Sequence, residues 1–341
     1  MLIKLPILFF VVSLISVLIC KKFNLLIDNK SEKHKKYTSK YKSHLLGGPL
    51  LSLLFIYYYI FFRENIFFIC FCIVIFFIGF LSDLKKMNSV SLRFFLQIVT
   101  IICFVQILNI EIERTNFNFF DDLLKNNFLN IIFVTFCLTI LVNGTNFVDG
   151  INGLVILYHI IIYLILYTFF QNFFFDKELV SILILCLTIL LIINFSGYLY
   201  LGDSGSYLLS IFTGTFLINF ASKNTSISPY LIIIFLWYPC FELLFSMIRR
   251  ITNNNKTYKP DTNHLHQLIF RYVKKNLTSL SNFAVHLFTT LSINTYNLFC
   301  FLLSIQYKYN STVLIFILIL NIFFYILIFF TINKKLSKLS L

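Results

Sequence analysis

The sequence predicts an all-α polytopic membrane protein, one bundle of about eleven transmembrane helices with its polar clusters gathered on the cytoplasmic face. Three observations carry that prediction. Of the 341 residues, 59% are hydrophobic and 12% charged, about half the charged share of a soluble domain and too little to cover a water-facing surface. The apolar residues come in runs of roughly 18 to 22, the length that crosses a bilayer as a helix. The Lys and Arg residues between the runs fall mainly on one side of the alternation, which sets the orientation.

By length the spans are approximately 2–20, 45–62, 66–82, 92–110, 128–143, 151–170, 178–197, 206–221, 229–248, 284–304 and 312–332. The chain reads as a single integral-membrane domain over 1–341, with basic loops at about 21–44 and 249–283. Run 5–20 lacks a small-x-small cleavage site and is followed by Lys21 and Lys22, so a retained first span is expected rather than a signal peptide. Of the 28 Lys and Arg, only Lys4, Arg63, Arg114, Lys125, Lys177, Lys223 and Lys308 fall on the side of the N-terminus. The positive-inside rule therefore places the N-terminus outside and the C-terminus, with Lys334, Lys335 and Lys338, in the cytoplasm.

All eight Cys (20, 70, 72, 103, 137, 186, 240, 300) lie in apolar runs without metal-ligand spacing, and read as small hydrophobes rather than disulfides or ligands. Loop 21–44 carries eight Lys with His34 and His44, a charge that suits anionic lipid. Gly47 and Gly48 open the second span and permit close approach of a neighbouring helix.

The third span ends G-F-L-S-D-L-K-K at 79–86. Its Asp83 is either a snorkelling terminus or a site carboxylate. Arg93 and Gln97 begin the next span, and Arg93 suits a lipid phosphate or a neighbouring helix.

The segment around which the chain is organised is 143–154, N-G-T-N-F-V-D-G-I-N-G-L. Asn143, Asn146, Asp149 and Asn152 recur every three residues, which keeps them on one side of a helix end. Four polar groups at the mouth of an apolar run are costly unless they meet a ligand, a metal or water. At 202–206, G-D-S-G-S, glycines let the backbone turn sharply and aim amides at an anion, while Asp203 stays available to a cation. Together with Asp149 it suits Mg²⁺, which is usually held by one or two carboxylates plus phosphates.

Glu242, four residues into P-C-F-E, sits inside an apolar run and either ties helices together or lines a cavity. Arg249 and Arg250 close that span. The loop after it carries Lys256, Lys259, Asp261, His264, His266, Arg271, Lys274 and Lys275. Two His at i and i+2 do not face each other on a helix, which argues against a zinc pair and for a cationic or hydrogen-bonding grip on phosphate. His159 and His286 read as core or interface residues. The outer acids Glu111, Glu113, Asp121, Asp122, Asp176 and Glu178 read as solvated surface. No Walker loop, G-x-G-x-x-G or H-E-x-x-H occurs, and the +14 net charge is spread along one membrane face, which excludes a nucleic-acid partner from the reading.

Taken in order, these motifs resemble the polyprenyl-phosphate N-acetylhexosamine-1-phosphate transferases, the WecA-like and MraY-like enzymes of the glycosyltransferase 4 type. The likeness is closer to the WecA-like, O-antigen and teichoic-acid branch. Residues 79–83 resemble G-x-x-D-D, 143–154 resemble N-x-x-N-x-x-D-G-x-D/N-G-L, and 202–206 resemble G-D-x-G-S. Pro239, Glu242, Arg249 and Arg250 resemble P-x-x-D-x6-R-R, and 261–267 the D-x-x-H-x-H-H segment.

The resemblance implies transfer of an N-acetylhexosamine-1-phosphate, or a deoxy relative, from a UDP-sugar to undecaprenyl phosphate with release of UMP. It implies Mg²⁺ or Mn²⁺, an active site on the cytoplasmic face of the bacterial inner membrane, and the first membrane step of a cell-surface polysaccharide such as O-antigen lipopolysaccharide or cell wall. Asp203, with Asp149, is then the expected metal ligand, and Asp83, Asp149 and Asp203 are the expected catalytic carboxylates. Asn143, Asn146, Asn152, His264, His266, Arg93 and Arg249 are expected to bind substrate. The oligomeric state stays open, a homodimer included.

Three positions depart from the family pattern: Ser82 for the first Asp of the pair, Asn152 for an Asp and Gln267 for the last His. Ser82 is no carboxylate base, so either Asp83 serves or none is needed. A phosphate monoester has its second pKa at about 6 and is already largely ionised near neutral pH. The rival reading is a carrier or flippase for a polyprenyl-linked sugar, but a carrier should place broken, polar segments at mid-membrane in repeated halves. An inactive scaffold is the third, kept open by Ser82.

Overall fold

A computed structural model describes residues 4–27, 43–62, 66–173, 175–252 and 263–338. Each of the eleven apolar runs is a helix: α1 (Lys4–Phe23), α2 (Gly47–Phe62), α3 (Ile66–Asp83), α4 (Val90–Ile107), α6 (Asn127–Val148), α7 (Leu154–Phe169), α8 (Lys177–Phe195), α9 (Gly202–Lys223), α10 (Pro229–Thr252), α12 (Asn282–Gln306) and α13 (Ser311–Lys338). Two shorter helices lie outside the apolar runs, α5 (Asn118–Leu124) and α11 (Leu265–Asn276). Polar side chains mark several starts. Ser89, Asn126, Asp176 and Ser281 accept from the first-turn amides of α4, α6, α8 and α12, satisfying donors that have no partner within the helix.

Eight of these helices (α1, α3, α4, α6, α8, α10, α12 and α13) are long and apolar enough to cross a membrane, and α2 and α7 are apolar but shorter. The protein is a multi-pass membrane protein. Helix α9 falls outside both groups because its sequence is rich in Gly, Ser and Thr, among them Ser204, Ser206, Ser210, Thr213 and Thr215, all buried. It is the centre of the bundle, packed against α2, α3 and α6. A helix surrounded by protein needs no lipid-facing apolar side, and small residues let its neighbours come close. At Gly79 of α3 a Cβ would lie 2.5 Å from Ser204 Cα. In the same way, a Cβ at Gly144 of α6 would lie 2.3 Å from the carbonyl oxygen of Pro239 in α10.

Around this centre α7 packs on α8, α10 on α6, α12 and α13, and α11 lies across α12 and α13. The all-α expectation needs one small amendment. His44–Leu45 (β1) pairs in parallel with Leu199–Tyr200 (β2), and His44 Nδ1 meets the Leu25 carbonyl at 2.8 Å. These residues precede the two helices that enter the core, so their buried peptide groups must pair with each other. The ladder sets the start of α2 beside the start of α9.

Candidate active site

Helix α9 opens on Gly202 at φ +73° and has no side-chain cap of its own. Its first amides are instead received by Asp83 at the end of α3. Asp83 Oδ1 accepts from the Asp203 amide at 2.9 Å, and Oδ2 accepts from the Ser204 amide at 3.1 Å and the Ser204 hydroxyl at 2.6 Å. A carboxylate at the positive end of a helix is favourable. Gly202 is required twice over, by its left-handed backbone and because a Cβ would sit 2.8 Å from Asp83 Oδ2.

The side chain of Asp203 turns the other way. Its Oδ2 accepts from Arg93 Nη1 at 2.8 Å and from the Ser82 hydroxyl at 2.6 Å, and Arg93 also donates to Ser82. The Arg93 and Asp203 side chains are 22% and 25% exposed, so the pair lies at an accessible edge. The predicted departure at Ser82 thus has a local meaning. An Asp there would set two carboxylates against each other, whereas the hydroxyl donates.

Helix α6 delivers the 143–154 segment to the same end. Asn143 donates to Gln97 Oε1 of α4 at 3.0 Å, and Asn146 Oδ1 accepts from the Ser206 hydroxyl of α9 at 3.0 Å. Asp149 is the C-cap of α6, one turn beyond Asn146, as Asp203 is one turn before Ser206. The three-residue spacing holds for Asn143, Asn146 and Asp149. It fails for Asn152, which the sequence reading put on the same helical side. The helix stops at Val148, and Asn152 lies buried in the turn before α7. Its backbone is pinned by α12, the amide to His286 Nδ1 at 3.3 Å and the carbonyl by Thr290 at 2.7 Å. The next amide, of Gly153, meets Asn194 Oδ1 at 2.5 Å.

The His segment arrives from α11. His264 Nδ1 meets Glu242 Oε1 at 2.9 Å, the Leu265 amide meets the same oxygen at 3.3 Å, and Tyr325 donates to Oε2 at 2.8 Å. Glu242 therefore ties α10, α11 and α13 together, the first of its two predicted roles. The His264 ring lies edge-on to Phe147 at 5.3 Å and stacks on His266 at 5.6 Å. His266 is fully buried, with no partner on either ring nitrogen among the described residues. Its Nε2 is 3.1 Å from where a Cβ on Gly150 would be. Burial, opposed by Glu242 and aided by His264, pushes its pKa down to about 3. A neutral imidazole hydrogen-bonds but carries no charge, so of the two grips expected from the sequence only the hydrogen-bonding one suits such a ring.

Arg249, expected to bind substrate, donates to the Asn263 carbonyl and lies over Phe329 at 4.9 Å. It is Arg250 that sits over Phe147, at 5.6 Å. The spacing held a signal for this. Glu242, Ser246 and Arg250 are four apart and all buried, one face of α10. Arg93 and Gln97 share a face of α4 in the same way. Asp261, Lys256 and Lys259 lie outside the described residues.

Among the described residues no three His, Cys, Asp or Glu side chains cluster as a metal cage. The arrangement still fits Mg²⁺. Among the described residues Asp203 has one oxygen without a hydrogen bond, on a partly exposed side chain, and such ions are commonly completed by phosphate oxygens and water.

Residues 65–221, which contain Asp83, Arg93, the 143–154 segment and Asp203, match the model for glycosyl transferase family 4. The chain is also 26% identical over 250 residues to an undecaprenyl-phosphate α-N-acetylglucosaminyl 1-phosphate transferase of Thermotoga maritima, covering 70% of this chain and 74% of that protein. The ordered motifs that meet at one end of the bundle thus accompany a likeness to glycosyl transferase family 4 over residues 65–221 and to this transferase.

Proposed function

We propose that the protein transfers a sugar-1-phosphate, an N-acetylhexosamine or a deoxy relative, from a UDP-sugar to undecaprenyl phosphate and releases UMP. The reaction opens assembly of a cell-surface polysaccharide at the cytoplasmic side of a bacterial inner membrane, with the N-terminus outside. The observation that carries this reading is the Asn146–Ser206 hydrogen bond at 3.0 Å. It joins α6 to α9 one turn from Asp149 and one turn from Asp203, which supports their serving one nucleotide diphosphate.

An oxygen of the lipid phosphate attacks the β-phosphorus of the UDP-sugar in line. The bond from that phosphorus to the bridging oxygen breaks, and the bridging oxygen leaves with UMP. Asp203 and Asp149 would hold Mg²⁺ or Mn²⁺, which when bound neutralises charge on the diphosphate. Arg93, planar, charged and partly exposed, receives the lipid phosphate. His266 and Asn146 orient the donor through uncharged hydrogen bonds. The chain supplies placement rather than a proton acceptor for the nucleophile, since the lipid phosphate is already ionised.

Membranes containing the protein, given radiolabelled UDP-sugars, undecaprenyl phosphate and Mg²⁺, should release UMP and label the lipid. Failure across N-acetylglucosamine, N-acetylgalactosamine and their deoxy relatives overturns the proposal.

A further inference from the structure

Consecutive residues at the end of α3 hold two different parts of Asp203: Ser82 its carboxylate at 2.6 Å and Asp83 its amide at 2.9 Å. Both oxygens of Asp83 are turned onto the first residues of α9, three bonds in all with those from Ser204. Helix α9 has no side-chain cap from its own N-cap residue, Leu201, and unpaired amides at a buried helix start are costly. Helix α3 can reach them because Gly79, one turn before Asp83, lets the two backbones meet. Gly202 leaves room for the carboxylate, with a Cβ there predicted at 2.8 and 3.0 Å from its two oxygens.

We propose that Asp83 is a positioning residue, the cap of α9 supplied from α3, and that it acts on transfer by aiming the Asp203 carboxylate rather than by accepting a proton. A base must reach the proton it takes, and these oxygens face Gly202, Asp203 and Ser204. The inference rests on the transferase reading for its kinetic consequence and on hydrogen bonds alone for its structural one.

The test compares Asp83→Asn, Ser204→Ala and Gly202→Ala in the full-length protein. The last two disturb the cap from the α9 side without removing any carboxylate. One readout is Mn²⁺ binding in the presence of UDP, followed by electron paramagnetic resonance; the other is the pH–rate profile of lipid labelling. Groups that orient a metal ligand typically contribute about 10–100-fold in metal affinity or activity. Asp83→Asn and Gly202→Ala should each weaken Mn²⁺ binding by about tenfold or more. Ser204→Ala, which removes one bond of three, should weaken it a few-fold, and the residual activity should keep the wild-type pH profile. Wild-type Mn²⁺ binding in Gly202→Ala and Ser204→Ala, with Asp83→Asn alone losing rate and the acid limb of its profile, overturns the proposal. If Asp83→Asn or Gly202→Ala fails to accumulate, Ser204→Ala decides. If the wild type labels no lipid, the transferase reading fails while the Mn²⁺ measurement still judges the cap.

Discussion

Ser82 gives its hydroxyl hydrogen to Asp203 Oδ2 across 2.6 Å, and Arg93 meets the same oxygen at 2.8 Å. One carboxylate oxygen is thus held by two donors from two helices. The position where the G-x-x-D-D pattern calls for an acid is here a neutral bridge within an ion pair.

Ser82→Asp should turn that bridge into repulsion. Hydrogen bonds to charged groups contribute roughly 1.5–3 kcal/mol, and partial exposure reduces this, so a loss of about 1 kcal/mol is expected without divalent cations. Mg²⁺ should restore it, because an added carboxylate strengthens cation binding. Thermal unfolding in detergent with and without Mg²⁺ measures both effects. An equal Mg²⁺ shift in wild type and variant would refute the idea.

Arg93→Gln removes the partly exposed guanidinium assigned to the lipid phosphate. The KM for undecaprenyl phosphate should rise about tenfold, equivalent to about 1.4 kcal/mol, with a smaller change for the UDP-sugar. Arg93→Lys should recover part of the loss, since a point charge replaces a planar fork. Steady-state kinetics varying each substrate in turn separate the two effects, and an unchanged lipid KM would remove Arg93 from that role.

Glu242→Ala should cost about 3–5 kcal/mol, the usual effect of breaking a buried pair, because His264, the Leu265 amide and Tyr325 all lose their acceptor. Tyr325→Phe removes one neutral donor and should cost only about 1–3 kcal/mol, through the acceptor left unpaired. Comparing unfolding midpoints of the two variants tests whether Glu242 is the joint between α10, α11 and α13. Near-equal losses would argue against it.

His266 ties stability to acid. Its folded pKa is about 3, against about 6.5 when unfolded, so below pH 6.5 the unfolded chain binds a proton that the folded one refuses. Stability contributed by the neutral ring is therefore complete above pH 6.5 and lost as pH falls toward 3, at up to about 1.4 kcal/mol per pH unit. His266→Gln should flatten this dependence between pH 6.5 and 5, read as the change in unfolding midpoint with pH. A slope equal to wild type would show that His266 does not carry it.

Much of the site was legible before any tertiary structure. Asp83, Asn143, Asn146, Asp149, Asp203 and His264 stand out as polar residues at the ends of apolar runs, and their helices do bring them to one end of the bundle. Asn152 was counted onto α6 because three-residue spacing continues past Val148, where the helix itself stops. Which of Arg249 and Arg250 lies over Phe147 is likewise not written in the sequence, because two adjacent arginines differ only in which face of α10 they occupy.

The sequence by itself determined the apolar helices and the end at which their polar residues collect, because length and apolarity are properties of contiguous residues. Only the tertiary structure decided the partners: Asp83 with the amides of α9, Arg93 with Asp203, Glu242 with His264 and Tyr325. Those pairings depend on how closely α3 and α9 approach at Gly79, and on which way a side chain leaves a helix end. Such distances arise between residues as far apart in the chain as Asp83 and Ser204, and no local pattern encodes them.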